Sequence, residues 1–192
     1  MQQLYQVHMW LQDHQPDSPG LLTALSEPQL QQCKEEWEEA LAAAAVAEKA
    51  SPAHQAMFAA AGRLAGLQKP PQLEARTRDG LVSIDVLLTT VAGVEVAVEV
   101  HSAWHYRQPD LQPTGPSLWR SRVLAARGYV VVTVPYWEWD PLNSAGEVQK
   151  QVEYLQLKME QAVGGEAASG AGAMGGKSRA YSEGGSEVPG QQ

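Results

Sequence analysis

VSIDVLLTTVAGVEVAVEVH, residues Val82 to His101, is the stretch whose reading decides the fold. Two β-rich runs, Val82–Thr89 and Val94–Val100, flank Ala92-Gly93 and so read as a hairpin. Upstream, Gln72–Thr77 has strand character and is joined through Arg78-Asp79-Gly80, whose Asp-Gly pair is a strong hairpin-turn signal. These three runs make a meander. With the tip near Ala92, residues whose numbers sum to about 184 lie opposite each other, which sets Asp85 across from Glu99. Alternation then puts His101 on the same side as Glu99.

Working outward, the period changes on both sides. Pro109, Pro113 and Pro116 mark a loop, Ser117–Arg127 reads as a helix stopped by Gly128, and Tyr129–Val134 is an unbroken apolar run suited to a strand buried on both faces. Pro135 to Pro141 reads as an aromatic-rich loop, and Gly146–Gln161 as a last helix. Strand, helix 117–127 and strand together predict a crossover that brings the last strand parallel to its partner. Before the meander lie a short helix over residues 3–12, a helix opened by Ser26, Pro28 and Gln29 and running to about Lys49, and a third opened by Ser51-Pro52 and ending near Gly66. In the second helix Leu30, Cys33, Trp37, Leu41 and Ala44 are expected inward, with Glu35, Glu36, Glu38 and Glu39 solvated. The pattern predicts an α/β fold, a mixed sheet flanked by helices, with an N-terminal helical extension.

Composition bounds the function classes. The 192 residues carry a formal net charge of −8, and no apolar run approaches the ~18 residues of a membrane span. A single cysteine, Cys33, excludes a disulfide scaffold and a cysteine-rich zinc site. The charge is uneven: residues 1–51 hold two basic and eight acidic side chains, residues 52–140 eight of each, and seven of the eight arginines fall between Arg63 and Arg127. A polyanion would therefore meet the middle third. The acidic helices near the N-terminus suit protein partners instead. Residues 1–62 contain no arginine, unlike an organelle transit peptide. The segment from Gly164 holds nine of the chain's seventeen glycines, and disorder is expected there. The division expected is a helical segment 1–50, a domain 51–163 and a tail 164–192.

Two constellations carry chemistry. Asp85, Glu99 and His101, with Glu74 on the preceding strand, would converge at one end of the sheet. Oxygen ligands of this kind at Asp85 and Glu99 suit magnesium and could serve a metal-dependent nuclease, with His101 in the position of the usual lysine. A structural polar cluster fits the same residues. The second constellation is Trp104-His105-Tyr106-Arg107 with Trp119-Arg120-Ser121-Arg122, and Trp137 beyond them. Aromatic rings interleaved with arginines are how single-stranded RNA is held, bases stacking on rings while cations meet phosphates. On the 117–127 helix Arg120 and Arg127 share a side and Arg122 points elsewhere. Of the two late tryptophans, Trp139 is expected against the last helix and Trp137 more exposed. His8, His14 and His54 stand isolated and receive no role. His101 and His105 lack the second ligand pair a zinc site needs.

Taken together, Glu74, Asp79-Gly80-Leu81-Val82-Ser83-Ile84-Asp85, Val98-Glu99-Val100-His101-Ser102-Ala103-Trp104-His105 and Gly128-Tyr129-Val130-Val131 through Glu138-Trp139 resemble the RAP domain, an RNA-binding domain abundant in apicomplexans. The resemblance covers about residues 72–157. It implies a restriction-endonuclease-like fold and an RNA partner, with no cofactor unless a nuclease with Mg2+ survives. Where that family typically has Glu-Val-Asp-Gly-Pro, this chain has Glu99-Val100-His101-Ser102-Ala103, which lacks the second carboxylate. Its members usually follow octotricopeptide repeats or a Fas-activated-kinase-like region, and act in organellar RNA processing, stability or translation. The expected setting is thus the mitochondrial matrix or chloroplast stroma, and the chain is expected to be a truncated or minimal member.

Overall fold

The computed structural model describes residues 2–17, 19–47 and 50–173. Six helices and four strands run in the order α1 (Gln2–His14), α2 (Glu27–Ala47), α3 (Pro52–Ala61), β1 (Gln72–Arg76), β2 (Ser83–Thr89), β3 (Glu95–His101), α4 (Gly115–Ala126), β4 (Val130–Pro135), α5 (Tyr136–Ser144) and α6 (Val148–Ala173). The sheet is ordered β1-β2-β3-β4. The first three strands are antiparallel, with Val86 opposite Val98 and Leu87 opposite Ala97, the expected register. β4 joins β3 in parallel through the α4 crossover, with Glu99 opposite Thr133 and His101 opposite Pro135. The mixed α/β sheet read from the sequence is therefore the fold.

Apolar residues on the two sheet faces specify two layers. On one face Val86, Leu88, Val96, Val98, Val100, Val130, Val132 and Val134 pack against Met57 and Ala60 of α3, Trp139 of α5, and Leu155 and Met159 of α6. On the other, Ile84, Leu87 and Ala97 meet Val123 and Leu124 of α4 and Tyr129. A third cluster, Tyr5, Met9 and Cys33, joins α1 to α2, with Trp37 and Trp119 at its border. The α1–α2 pair is tied to the meander at two places. Trp37 Nε1 donates to the Leu81 carbonyl at 2.8 Å, and Arg127 pairs with Asp13 at 3.2 Å and with Asp79 at 2.9 Å.

Local sequence explains the helix starts. Ser51 caps α3, its Oγ accepting from the His54 amide at 3.1 Å, with Pro52 in the first turn. At α2 the Gln29 side chain accepts from the Ser26 amide at 2.9 Å, which is half of a capping box. The Asp79-Gly80 turn has Gly80 at φ 74°, a conformation a side chain disfavours.

Several boundaries differ from the sequence reading. α3 ends at Ala61 rather than near Gly66, and Leu64 is buried in the turn that follows. Ala44 is exposed, because α2 outruns the surface it packs on. β4 is an edge strand whose Val131 and Thr133 are only half-buried, so its unbroken apolar run does not mean burial on both faces. Residues 136–144 form helix α5 rather than a loop, with Pro135 just before its first turn, where no amide donor is needed. Finally, α6 continues to Ala173, past the expected end at Gln161 and through residues 164–173, where disorder was expected. Ala162 and Val163 pack against the core, which carries the helix into the glycine-rich segment. Residues 174–192 of that tail lie outside the described residues. No helix among the described residues is long and apolar enough to cross a membrane.

Candidate functional site

β3 and β4 are parallel neighbours, so the chain leaving their C-terminal ends is gathered in one place. Crevices outside the carboxyl ends of parallel strands are where α/β proteins bind ligands. Here a cleft of about 390 Å³ opens there, lined by Ser51 and His54 of α3, by His101, Trp104 and His105 after β3, and by Tyr136 and Asp140 of α5. A larger apolar groove of about 460 Å³ lies between α1 and α4, lined by Val7, Trp10, Pro116 and Trp119 with two glutamines and a glycine. It holds no titratable group, so it has no acid–base or metal chemistry to offer.

Beside the cleft, β2 and β3 separate in an unusual way. Their backbone pairing stops at Val86–Val98. Beyond it the Val100 amide donates to Asp85 Oδ2 at 2.8 Å, and the Asp85 amide to Glu99 Oε1 at 3.4 Å. Two carboxylates thus replace ladder carbonyls. With Asp85 turned into the gap, the alternation of β2 breaks: Val86 lies in one core cluster and Ile84 in the other.

Arg120 closes this fork from α4. Its guanidinium reaches Glu99 Oε2 at 2.5 Å, Asp85 Oδ1 at 3.3 Å and the Ser83 carbonyl at 2.8 Å. Glu99 is 2% exposed. Burial, with the Asp85 carboxylate beside it, pushes its carboxyl up to about 8 against the pull of Arg120. Burial alone would pull Arg120 down, but the Glu99 and Asp85 carboxylates outweigh that and raise it. His101 is driven the other way. Burial first, then His105, lowers it to about 4, with Asp85 opposing, so it is neutral at pH 7.

This geometry tests the magnesium reading. The oxygens that Asp85 and Glu99 turn toward each other are taken by Arg120 and by backbone amides, and Glu99 is sealed from solvent. The residues present do not fit a magnesium ion held between Asp85 and Glu99. Nor does His101 supply a cation; Arg120 fills that place from another element. Glu74 is not part of this pair. It sits on β1 at φ 48°, and its Oε1 lies 2.7 Å from His54 Nδ1. His54 also faces Asp85, Nε2 to Oδ2, at 3.6 Å. The histidine that looked isolated therefore joins two carboxylates. Packing of α3 on β1 and β2 brings it there, and no local motif signals it.

The aromatic constellation divides. Trp104, on a 3-10 turn at Ala103–His105, is 91% exposed. Behind it a series of rings runs from the cleft, through buried His101, out to Trp137. His105 stacks on His101 at 4.6 Å, His101 meets Tyr106 edge-on at 5.6 Å, and Tyr106 meets Trp137 at 4.5 Å. Ser102 Oγ, 3.1 Å from His105 Nδ1, fixes the turn. Trp137 is 39% exposed, whereas Trp139 is fully buried against Tyr154 of α6. On a helix, residues two apart point to nearly opposite sides.

Other expected contacts are committed elsewhere. Trp119 is half-buried and packs edge-on to Trp37 at 6.0 Å, so it belongs to the α2–α4 interface. Arg120 is locked in the fork. Arg107 is exposed but paired with Asp110 at 2.7 Å, and Arg122 stands exposed on α4.

Residues 98–158 match the family model of the RAP domain. The match begins inside β3 and ends in α6, taking in the cleft rim, α4, β4 and α5. No match was found among curated proteins.

Proposed function

We propose that this chain is a RAP domain protein that binds single-stranded RNA at the mouth of the cleft around Trp104, and serves organellar RNA processing, stability or translation. The observation that carries the binding reading is Trp104, a 91% exposed indole at the mouth of the cleft, with half-buried His105 beside it and the Tyr106–Trp137 ring pair beyond. An isolated exposed leucine means little, but a bare tryptophan beside further half-exposed rings is a surface on which unpaired bases stack. A duplex hides those base faces, which favours the single-stranded form. Of the arginines expected to meet phosphates, Arg107 and Arg122 are exposed, whereas Arg120 is held in the fork by Asp85 and Glu99.

The mitochondrial matrix or chloroplast stroma remains part of the proposal, resting on the family resemblance. Fluorescence imaging of the tagged protein in its source cells tests it.

Binding is tested by anisotropy of a labelled single-stranded RNA at low salt. Base–aromatic stacking contributes about 1–3 kcal/mol per base. Trp104→Ala should therefore weaken binding roughly tenfold or more, while a duplex of the same sequence binds less well. Equal affinity of parent and Trp104→Ala, or preference for the duplex, would refute the reading.

A further inference from the structure

The structure assigns a divalent transition-metal site to His54 and Asp85, oriented by Glu74, at the inner end of the cleft. Among the described residues, one ligand atom from each of His54, Glu74 and Asp85 lies within 4.8 Å of the others. The arrangement is more specific than that proximity.

His54 Nδ1 lies 2.7 Å from Glu74 Oε1, a true hydrogen bond, so Nδ1 carries the proton shared with that carboxylate. The lone pair then sits on Nε2, which faces Asp85 Oδ2 across 3.6 Å. That gap is too long for a hydrogen bond. It is close to the roughly 3.4 Å that separates two ligands each about 2.1 Å from a tetrahedral ion. A carboxylate holding the far nitrogen of a ligating histidine is the usual outer support of such sites.

Three further observations fit. Glu74 is a non-glycine residue held at φ 48°, a conformation that persists only where surrounding contacts impose it, and here it aims the carboxylate at His54. Arg120 uses Asp85 Oδ1, while Oδ2, which accepts one bond from the Val100 amide at 2.8 Å, keeps its second lone pair for the side facing His54. His54 also lines the cleft, which gives an ion a path in and water room to complete its shell. The imidazole ligand selects a borderline cation such as zinc or cobalt over magnesium. The site does not depend on the RNA-binding reading and needs no ligand from Glu99.

The test strips the full chain with chelator, then titrates Zn2+ calorimetrically and Co2+ by visible absorption. One equivalent per chain is expected, with the melting temperature rising on zinc addition. Glu74→Gln should weaken binding 10–100-fold, the usual effect of removing an outer partner. His54→Ala should abolish it and the cobalt spectrum, while His105→Ala leaves both unchanged. If His54→Ala does not unfold cooperatively, His54→Gln takes its place. No saturable uptake by the parent, uptake undiminished by the His54 and Glu74 changes, or displacement of zinc by millimolar magnesium would each overturn the site.

Discussion

Removing the charge of Glu99 should change how stability depends on pH, and the size of the change follows from the fork. In the folded chain Glu99 is held up to about 8, against an ordinary value of 4.5. Between those values the folded state keeps a proton that the unfolded state has lost, so its contribution is complete below pH 4.5 and disappears as pH rises through 8. His101 acts in the opposite sense. Lowered from 6.5 to about 4, it gives the unfolded state the extra proton between those values, so its contribution grows as pH rises to 6.5. His8, also lowered by burial, adds to the second effect. The parent should therefore be most stable near pH 6.5 and weaken above it. Each pH unit with one proton of difference is worth about 1.4 kcal/mol, so the loss from pH 6.5 to 8 is about 2 kcal/mol. Glu99→Gln keeps the shape and leaves Arg120 balanced by Asp85 alone. Urea unfolding from pH 5 to 8.5 at constant salt, with chelator present, should show that the variant lacks the alkaline decline. Parallel curves for parent and variant over the whole range would show that Glu99 is an ordinary ionised carboxylate, and the argument from burial would fail.

Arg120→Met should destabilise the fold by about 3–5 kcal/mol at neutral pH, because it strands the buried Asp85 carboxylate and leaves the Glu99 carboxyl without its partner; denaturant midpoints measure it. Trp139→Ala should cost about 3–5 kcal/mol through the cavity it opens, whereas Trp104→Ala should stay within about 0.5 kcal/mol, and the two melting curves make the comparison. Arg122→Ala should flatten the salt dependence of RNA binding by about one unit of slope and weaken all sequences alike.

The meander and the parallel return of β4 were legible because hairpin turns and two-residue alternation are local signals. The register followed from the position of Ala92-Gly93 alone. What stayed hidden depends on contacts distant in sequence. Arg120 carries the same letter whether it meets phosphate or a buried glutamate; only the docking of α4 over β2 and β3 decides. His54 has no sequence neighbour that marks it, because its partners Glu74 and Asp85 come from two other elements. Trp137 and Trp139 have the exposures expected of them although the segment reads as a loop: the helix starting after Pro135 turns residues two apart to nearly opposite sides. The extension of α6 to Ala173 was hidden because the compositional change at Gly164 outweighs, in a sequence reading, the packing of Ala162 and Val163.

The fork at Asp85 and Glu99 also bears on how this sheet can vary. In an ordinary ladder the rungs are backbone, and one side chain that fits the face replaces another without changing how many rungs there are. Here the terminal rungs belong to two carboxylates, so sequence determines the length of the β2–β3 pairing as well as its surface. A substitution at either position shortens or redirects the pairing at the mouth of the cleft. Divergence there would reshape the opening itself, while the interior strands stayed the same.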